Sequence, residues 1–177
     1  MRAALAAALL AGTALAAPAP SADPGRAAPA RVEALFTPGD EVDRAIATRI
    51  DAARRDVRVA AYLFTNRRIA TALARAAKRG VAVDLVADAS QHASGGLPRV
   101  RELDRAGVRI WLREGLAAFH HKFVVIDGAI VVTGSFNFTQ AAQDRNAENV
   151  VVIESREVAG RFLAEFERHR AAASRLQ

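Results

Sequence analysis

Cysteine is absent from the 177-residue chain. Without thiols the chain can form neither disulfide bonds nor thiolate metal sites, so its stability must come from an apolar core, in one subunit or completed by a second. Acidic residues are outnumbered, with 19 Asp and Glu against 25 Lys and Arg, which gives a formal net charge of +6. A basic surface attracts polyanions such as nucleic acids or anionic lipid head groups.

Long apolar runs are lacking, except at the N-terminus. Arg2 precedes the uncharged run 3–16, which is shorter than the roughly 20 residues of a membrane-spanning helix. Small residues at Ala14 and Ala16 suit a signal peptidase. We therefore expect a cleaved signal peptide at 1–17, with a retained membrane anchor as the competing interpretation. Cleavage predicts a periplasmic or secreted protein without stable membrane insertion.

The remaining chain is predicted to form one domain. Residues 18–31 are rich in Pro, Ala and Gly and are expected to be a disordered linker before a domain at 32–177. Hydrophobic periodicity and turn residues predict helices at 41–54, 66–78, 99–106 and 156–170, a loop at 90–98, and strands at 57–64, 81–87, 108–112, 122–126, 129–133 and 149–153. This order predicts a mixed α/β fold, a mixed β-sheet flanked by helices on both faces.

One motif carries chemistry. It has the pattern H-x-K-x4-D-x6-G-S-x-N and contains His120, Lys122, Asp127, Ser135 and Asn137. Side chains two residues apart on a strand share a face, so the His–Lys and Ser–Asn couples each project to one side. An Asp-Gly hairpin turn between them can bring both couples together at its open end. An imidazole, an ammonium, a hydroxyl and an amide around one point suit a phosphodiester.

This pattern resembles the signature of the phospholipase D superfamily. The chain is similar to the small single-motif bacterial endonucleases of that family over 32–170, including the segments 62–65 and 78–81 and the Glu148-Asn149 pair. The resemblance implies a phospholipase D-like fold and a phosphodiesterase that needs neither metal nor cofactor. It also implies a phosphohistidine intermediate.

The resemblance also implies roles for individual residues. His120 is the expected nucleophile, and Lys122 and Asn137 stabilise charge on the phosphate oxygens, while Ser135 binds phosphate or supports the site. Glu148 lies where family members place an acidic residue that orients a histidine, of its own or of the partner subunit; an ordinary surface glutamate is the alternative. Asp127 completes the predicted catalytic set in a mainly supportive role, and a structural role in the turn is at least as well favoured.

The chain has one copy of the motif, although the chemistry uses two histidines: one attacks phosphorus, and the other protonates the leaving oxygen and later activates water. We therefore expect a homodimer with its active site at the two-fold interface. No metal site is expected, because His120 is paired with a cationic lysine and no cluster of Asp, Glu and His with ligand spacing appears elsewhere in the sequence. His121 faces away from the motif in a structural or exposed position, and His92 and His169 are expected to be isolated surface residues.

The substrate is the least determined feature. The leading hypothesis is a nuclease cleaving DNA, and RNA as an additional substrate, with Arg67, Arg68, Arg113 and Arg145 as candidate phosphate contacts. A phospholipid hydrolase is the alternative, in which Phe119, Phe136 and Phe138 would form an apolar entry, although core packing explains these rings more simply. The third hypothesis, a non-catalytic nucleic-acid-binding module, conflicts with the complete motif.

Overall fold

The computed structural model describes residues 29–176. The predicted signal peptide and most of the predicted linker lie outside these residues. The described elements, in chain order, are β1 (Arg31–Thr37), α1 (Val42–Asp51), β2 (Asp56–Ala61), α2 (Arg67–Lys78), β3 (Ala82–Asp88), α3 (Ala89–Ala93), α4 (Val100–Arg105), β4 (Arg109–Arg113), β5 (Lys122–Ile126), β6 (Ile130–Gly134), α5 (Gln140–Asp144), β7 (Glu148–Glu154), α6 (Arg156–Ala171) and β8 (Ala173–Arg175).

The strands form one eight-stranded sheet in the order β1-β7-β6-β5-β2-β3-β4-β8. The pairs β2–β3 and β3–β4 are parallel, as expected for strands joined through helices. The other neighbouring pairs are antiparallel. The predicted mixed sheet is therefore confirmed, and the two strands at its centre, β5 and β2, run in opposite directions.

Helices cover both faces of the sheet, as predicted. On one face α1, α2 and α4 pack over a large core that includes Phe136 and Phe138. On the other face α6 packs over a smaller core that contains Phe119, Phe123 and Phe166. Each buried phenylalanine contributes about 1.5–3 kcal/mol of transfer free energy, so both faces add substantially to stability. Among the described residues, no helix has the length and apolar character needed to cross a bilayer.

Short polar side chains fix where the longer helices begin. The Asn66 side chain accepts a hydrogen bond from Ile69 N at 3.0 Å, which caps α2. Ser155 caps α6 in the same way through Val158 N. Asp40, a residue type that often caps helices, does not cap the following helix α1; its carboxylate instead accepts from Phe36 N at 2.8 Å and closes the turn after β1.

Four short elements escaped prediction: β1, α3, α5 and β8. The first strand begins at Arg31, the last residue of the predicted linker, and pairs along its whole length with β7. The segment expected to be the loop 90–98 contains α3, which Asp88 caps through Gln91 N at 3.1 Å. The strand predicted at 57–64 ends earlier, at Ala61, and this places Tyr62 outside the sheet ladder.

The Asp127-Gly128 turn closes the β5–β6 hairpin with positive φ angles of 51° and 59°, as in a type I′ turn. The Asp127 carboxylate accepts hydrogen bonds from three consecutive backbone N–H groups, those of Arg54 (3.0 Å), Arg55 (2.8 Å) and Asp56 (3.1 Å). Asp127 lies five residues beyond Lys122, roughly 16 Å along the strand. Its predicted place in the catalytic set is therefore corrected: it joins the hairpin to the start of β2.

Replacing Asp127 by Asn tests this structural role. Burial alone would raise the pKa of Asp127, but the three backbone N–H groups hold the pKa below its ordinary value of 3.8. The stabilisation is therefore present above the ordinary pKa of 3.8 and is lost as the pH falls through the lowered folded-state pKa. We expect Asp127→Asn to lower the unfolding free energy at pH 7 by about 1–3 kcal/mol and to flatten its decline in acid. Urea denaturation at several pH values measures both effects.

The matched control is Asp144→Asn, at an exposed aspartate that accepts from Gln140 within its own helix. This change is expected to cost less than about 0.5 kcal/mol. Equal losses in the two variants would contradict the role assigned to Asp127.

Candidate active site

Strand register brings the motif together at one edge of the sheet. Because β5 is antiparallel to β2 and β6, and β6 is antiparallel to β7, the beginnings of β5 and β7 meet the ends of β2 and β6. Lys122 pairs with Ala61, and Gly134 pairs with Val150. His120, Ser135, Asn137 and Glu148 flank these strand ends, so the structure places all the predicted site residues except Asp127 along this edge.

His120 and Lys122 form the centre of the site. The Lys122 ammonium donates hydrogen bonds to the His120 Nδ1 atom and to the His120 carbonyl oxygen, both at 2.8 Å. His120 is exposed, whereas Lys122 is only 9% exposed. An ammonium has no lone pair, so Nδ1 acts as the acceptor and a neutral imidazole carries its proton on Nε2. The exposed nitrogen of this arrangement is therefore a hydrogen-bond donor and has no free lone pair.

Tyr62 is a site residue whose contacts the sequence did not predict. Its ring centroid lies 4.5 Å from that of His120, and the Lys122 Nζ atom lies 5.2 Å from the Tyr62 centroid. Gln91 Nε2 donates to the Tyr62 hydroxyl at 3.0 Å. Its position in the chain could have indicated a place in the site, because Tyr62 directly follows β2, the strand that pairs with β5. The ring limits where the imidazole and the ammonium can lie.

Asp88, at the end of β3, holds the chain segment that leads into the motif. Its Oδ2 atom accepts a hydrogen bond from Phe119 N at 2.6 Å. Burial raises the pKa of Asp88, but hydrogen bonds from Ser90, Phe119 and Gln91 outweigh it and hold the pKa below its usual range. The backbone next to His120 is therefore fixed by a charged acceptor as well as by the buried Phe119 ring.

Ser135 and Glu148 form a second polar group. The Ser135 hydroxyl donates to Glu148 Oε2 at 2.5 Å and accepts from Asn149 N at 3.0 Å. Asn146 Nδ2 donates to the other Glu148 oxygen at 2.8 Å. Within the described chain Glu148 makes no hydrogen bond to its own His120. The carboxylate is instead held beside the hydroxyl of the motif.

Asn137 and Gly134, the other motif residues, differ in how the fold constrains them. The Asn137 Oδ1 atom is buried and has no hydrogen-bond partner in the part of the chain that the structure describes, so this amide is not committed to the fold. Gly134 is needed for close approach, since a Cβ there would collide with the Asn149 carbonyl oxygen on β7. The Gly-Ser-x-Asn sequence therefore combines a close backbone contact with β7 at Gly134 and two side chains that can form hydrogen bonds.

Electrostatics link the two polar groups. Burial lowers the pKa of Lys122, and the negative charge of Glu148 opposes this shift. The edge of the sheet thus gathers an imidazole, an ammonium, a hydroxyl, an amide and a carboxylate. Such a set can bind the oxygens of a phosphodiester and place an imidazole beside phosphorus.

The phenylalanine, arginine and histidine residues considered in the sequence analysis differ in burial and in their contacts. Phe119, Phe136 and Phe138 are all buried, so their interpretation as core residues is confirmed. Arg67 and Arg145 are exposed, Arg68 forms an ion pair with Asp43, and Arg113 is half-buried. His169 was expected at the surface but is buried on the face opposite the motif.

Residues 46–170 match a protein family described as "Cardiolipin synthase, PLD-like domain". The chain belongs to this family. Proteins named phospholipase D from Rickettsia are similar to it; the one from Rickettsia felis is 39% identical over 133 residues, 75% of this chain and 66% of the relative. Mouse (Mus musculus) mitochondrial cardiolipin hydrolase is 33% identical over 117 residues, 66% of this chain and 52% of the relative. The chain thus spans just under two thirds to about half the length of these phospholipase D-family relatives.

Solved structures give the same family and fold. Nuc from Salmonella typhimurium, a phospholipase D family member, superposes with a TM-score of 0.79 and 29% identity, covering 84% of this chain and 99% of Nuc. NucT from Helicobacter pylori superposes with a TM-score of 0.78 over 84% of this chain and all of NucT; at 23% identity it supports the fold alone. The chain has the fold and the complete motif of a phospholipase D-family phosphodiesterase.

Replacing Glu148 by Gln tests the electrostatic link between the two polar groups. Removing the carboxylate leaves the effect of burial unopposed, so we expect the pKa of Lys122 to fall further. The chain has only two lysines, so side-chain NMR titration resolves Lys122, and the exposed Lys78 gives a reference signal.

The control is Glu154→Gln at the far end of the same strand, which is expected to leave the Lys122 titration unchanged. A Lys122 pKa that stays constant or rises in Glu148→Gln would contradict the proposed interaction.

Proposed function

We propose that the chain is a metal-independent endonuclease that cleaves DNA, and RNA as well, without sequence preference. The observation that carries this proposal is the hydrogen-bonded pair formed by the exposed His120 imidazole and the buried Lys122 ammonium at the edge of the sheet. Ser135, Asn137 and Glu148 lie along the same edge and supply the remaining polar groups. The proposal follows the resemblance to small single-motif nucleases of the phospholipase D family.

The proposed reaction has two steps. The His120 Nε2 lone pair attacks phosphorus, a phosphorus–nitrogen bond forms, and the bond from phosphorus to the leaving oxygen breaks as a second histidine, in its imidazolium form, donates a proton to that oxygen. Water then attacks the phosphohistidine, giving its proton to the second imidazole and releasing His120. Lys122 and Asn137 stabilise the negative charge on the non-bridging oxygens in both steps.

A homodimer is part of the proposal because one chain contains a single motif. Lys122 donates to the His120 Nδ1 atom, so a neutral imidazole in this arrangement carries its proton on Nε2 and has no lone pair there for attack. A carboxylate at Nδ1 would move the proton there and free Nε2. Glu148 is bound to Ser135 and Asn146 of its own chain, and we propose that a two-fold interface places it near the partner subunit's His120.

Charge near the motif favours a nucleic acid as the substrate. Arg67, Arg68 and Arg75 line a surface cavity of about 390 Å³ together with Gln140. This cavity adjoins the motif, because Asn66 N, at the start of α2, donates to the carbonyl oxygen of Phe138. Arg68 and Arg75 also form ion pairs with Asp43 and Asp51. Guanidinium groups at this surface would bind a phosphate backbone with strong salt dependence and little sequence preference.

Phospholipid hydrolysis is the second candidate, and the relatives named phospholipase D and cardiolipin hydrolase favour it. The same residues would serve as nucleophile and phosphate ligands. Phe119, Phe136 and Phe138 cannot form an acyl-chain entry, because all three are in the core. Exposed apolar side chains that would contact a lipid include Leu116, shortly before His120 in the chain, and Phe36, which is opposite Asn149 on β7. A non-catalytic binding module is disfavoured because the motif is assembled.

The proposal also includes export of the protein from the cytoplasm. The signal peptide inferred at 1–17 would direct the domain to the periplasm or outside the cell. The positive charge of the mature chain suits extracellular or periplasmic nucleic acid as a substrate.

A nuclease assay on the mature protein in EDTA tests the function. The wild type is expected to nick and then degrade plasmid DNA. His120→Ala should lose at least about 1,000-fold in rate because it removes the nucleophile, and Glu148→Gln should be impaired but active. His92→Ala, at a half-buried histidine on α3, is the matched control and should retain activity. Head-group release from cardiolipin or phosphatidylcholine vesicles without DNA cleavage would favour the lipid substrate instead.

Subunit mixing tests the shared site. Two differently tagged chains, one wild type and one His120→Ala, are co-expressed, and mixed dimers are purified through both tags. If both imidazoles serve one phosphodiester, the mixed dimer should be nearly as inactive as the His120→Ala homodimer. A mixed dimer of wild type and His92→Ala should be fully active. Half activity in the first mixed dimer, or a failure to recover any dimer, would contradict the shared site.

A further inference from the structure

A second cluster of polar side chains lies on the opposite face of the sheet from His120. His121 precedes β5 and points to the α6 side, where Glu165 and His169 lie one helical turn apart. The Glu165 Oε1 atom is 3.2 Å from His121 Nε2 and 2.9 Å from His169 Nε2. One ligand atom from each residue lies within 4.8 Å of the other two. The three residues thus present two imidazole nitrogens and a carboxylate oxygen to one point.

The surroundings restrict these side chains. His169 is 8% exposed, and its ring makes edge contacts with Phe119 and with the His121 ring. His121 is held between the rings of Phe119 and Phe123. Although His121 lies between His120 and Lys122 in the chain, the described contacts of both imidazoles are with Glu165 and neighbouring rings rather than with motif side chains, so the cluster has no part in the chemistry proposed for His120. Packing leaves both imidazoles directed at Glu165.

A cation already faces this cluster. The Arg168 guanidinium lies 2.6 Å from Glu165 Oε1 and 3.3 Å from His169 Nε2. Arg168 donates to both Glu165 carboxylate oxygens, and its side chain is 67% exposed, so its guanidinium can move into solvent when a metal ion takes over the negative charge of Glu165. The point between the three ligand atoms therefore favours positive charge.

We propose that His121, Glu165 and His169 form a binding site for a divalent transition-metal ion of the zinc class. Two imidazoles and a carboxylate are a common three-residue ligand set for zinc, whereas magnesium and calcium prefer oxygen ligands alone. A tetrahedral zinc ion with bonds of about 2.0–2.1 Å requires ligand atoms roughly 3.3 Å apart. The two separations that involve Glu165 are close to this value, and the ligand atoms of the two histidines lie within 4.8 Å of each other. Binding therefore requires the two imidazoles to adjust toward one ion once Arg168 moves away.

The fourth coordination position would face a shallow surface pocket. His121 and Glu165 line this cavity of about 310 Å³ together with Phe123, Val158, Arg161 and Phe162. With the Glu165 and His121 side chains 32% and 41% exposed, an ion can enter from solvent. A water molecule or a small anion would complete the coordination. The bound ion would connect the segment before β5 to α6.

Zinc titration of the full-length mature protein tests this proposal without measuring phosphodiesterase activity. All variants are made in a His120→Ala background, which removes the imidazole on the other face as a competing ligand. Calorimetry with zinc chloride is expected to give one ion per chain. His121→Gln and His169→Gln should each weaken binding by at least about 100-fold, since even the loss of an outer-shell contact can reach that size. Arg168→Gln should tighten binding.

His92→Gln is the matched control and should bind zinc like the background protein. Cobalt(II) should give the intense visible absorption of a four- or five-coordinate site, and this absorption should vanish in His121→Gln. Circular dichroism shows whether each variant is folded; His121→Gln, at the more exposed imidazole, carries the result if His169→Gln unfolds. Binding that is absent, or that is unchanged in His121→Gln, would overturn the proposal while leaving the nuclease hypothesis intact.

Discussion

The antiparallel register of β2, β5, β6 and β7 is the constraint on which the site depends. It places the beginnings of β5 and β7 beside the ends of β2 and β6. Because side chains alternate along a strand, a shift of one residue in β5 would exchange the faces of His120 and His121 and move Lys122 away from its partners. Asp127 opposes such a shift at the other end of the hairpin, where it binds three backbone N–H groups at the start of β2.

This alternation also places the adjacent residues His120 and His121 in two different proposed sites, on opposite faces of the sheet. His120 lies on the exposed edge with Lys122 and Tyr62, whereas His121 packs among phenylalanine rings under α6. The sheet and its buried side chains stand between the two imidazoles. Changes to the cluster on the α6 side can therefore be made without altering the contacts of Lys122, which is why the two proposals can be tested separately.

The features that could be predicted from the sequence are those encoded by neighbouring residues. The Asp-Gly turn, the buried strands and the spacing of the motif are local patterns, and from them the mixed sheet and most of the site residues followed. The edge strand β1 was missed because its exposed side chains leave no clear alternation, and its pairing with β7 is set by residues more than 100 positions away. The short helix α3 depends on the Asp88 cap within a Ser- and Gly-rich segment.

Side-chain partners were harder to predict than side-chain positions. The His121–Glu165 contact joins residues 44 positions apart, and no pattern along the chain indicates it; the spacing of Glu165 and His169 by four residues was the one local signal. Glu148 was expected beside a histidine, yet in a single chain it binds Ser135 and Asn146. Its partners depend on side-chain geometry at a strand end, and no periodicity encodes that geometry.

The geometry of the His120–Lys122 pair bears directly on the proposed second subunit. A buried ammonium at 2.8 Å from Nδ1 makes that nitrogen an acceptor and, in a neutral imidazole, leaves the proton on the outer nitrogen. An imidazole in this state has no outer lone pair with which to attack phosphorus. The proposed reaction needs one neutral imidazole whose outer nitrogen is free and one imidazolium that protonates the leaving oxygen. In the proposed homodimer this difference would arise between chains, because each chain has a single motif and holds its own Glu148 on Ser135 and Asn146 rather than on its own His120.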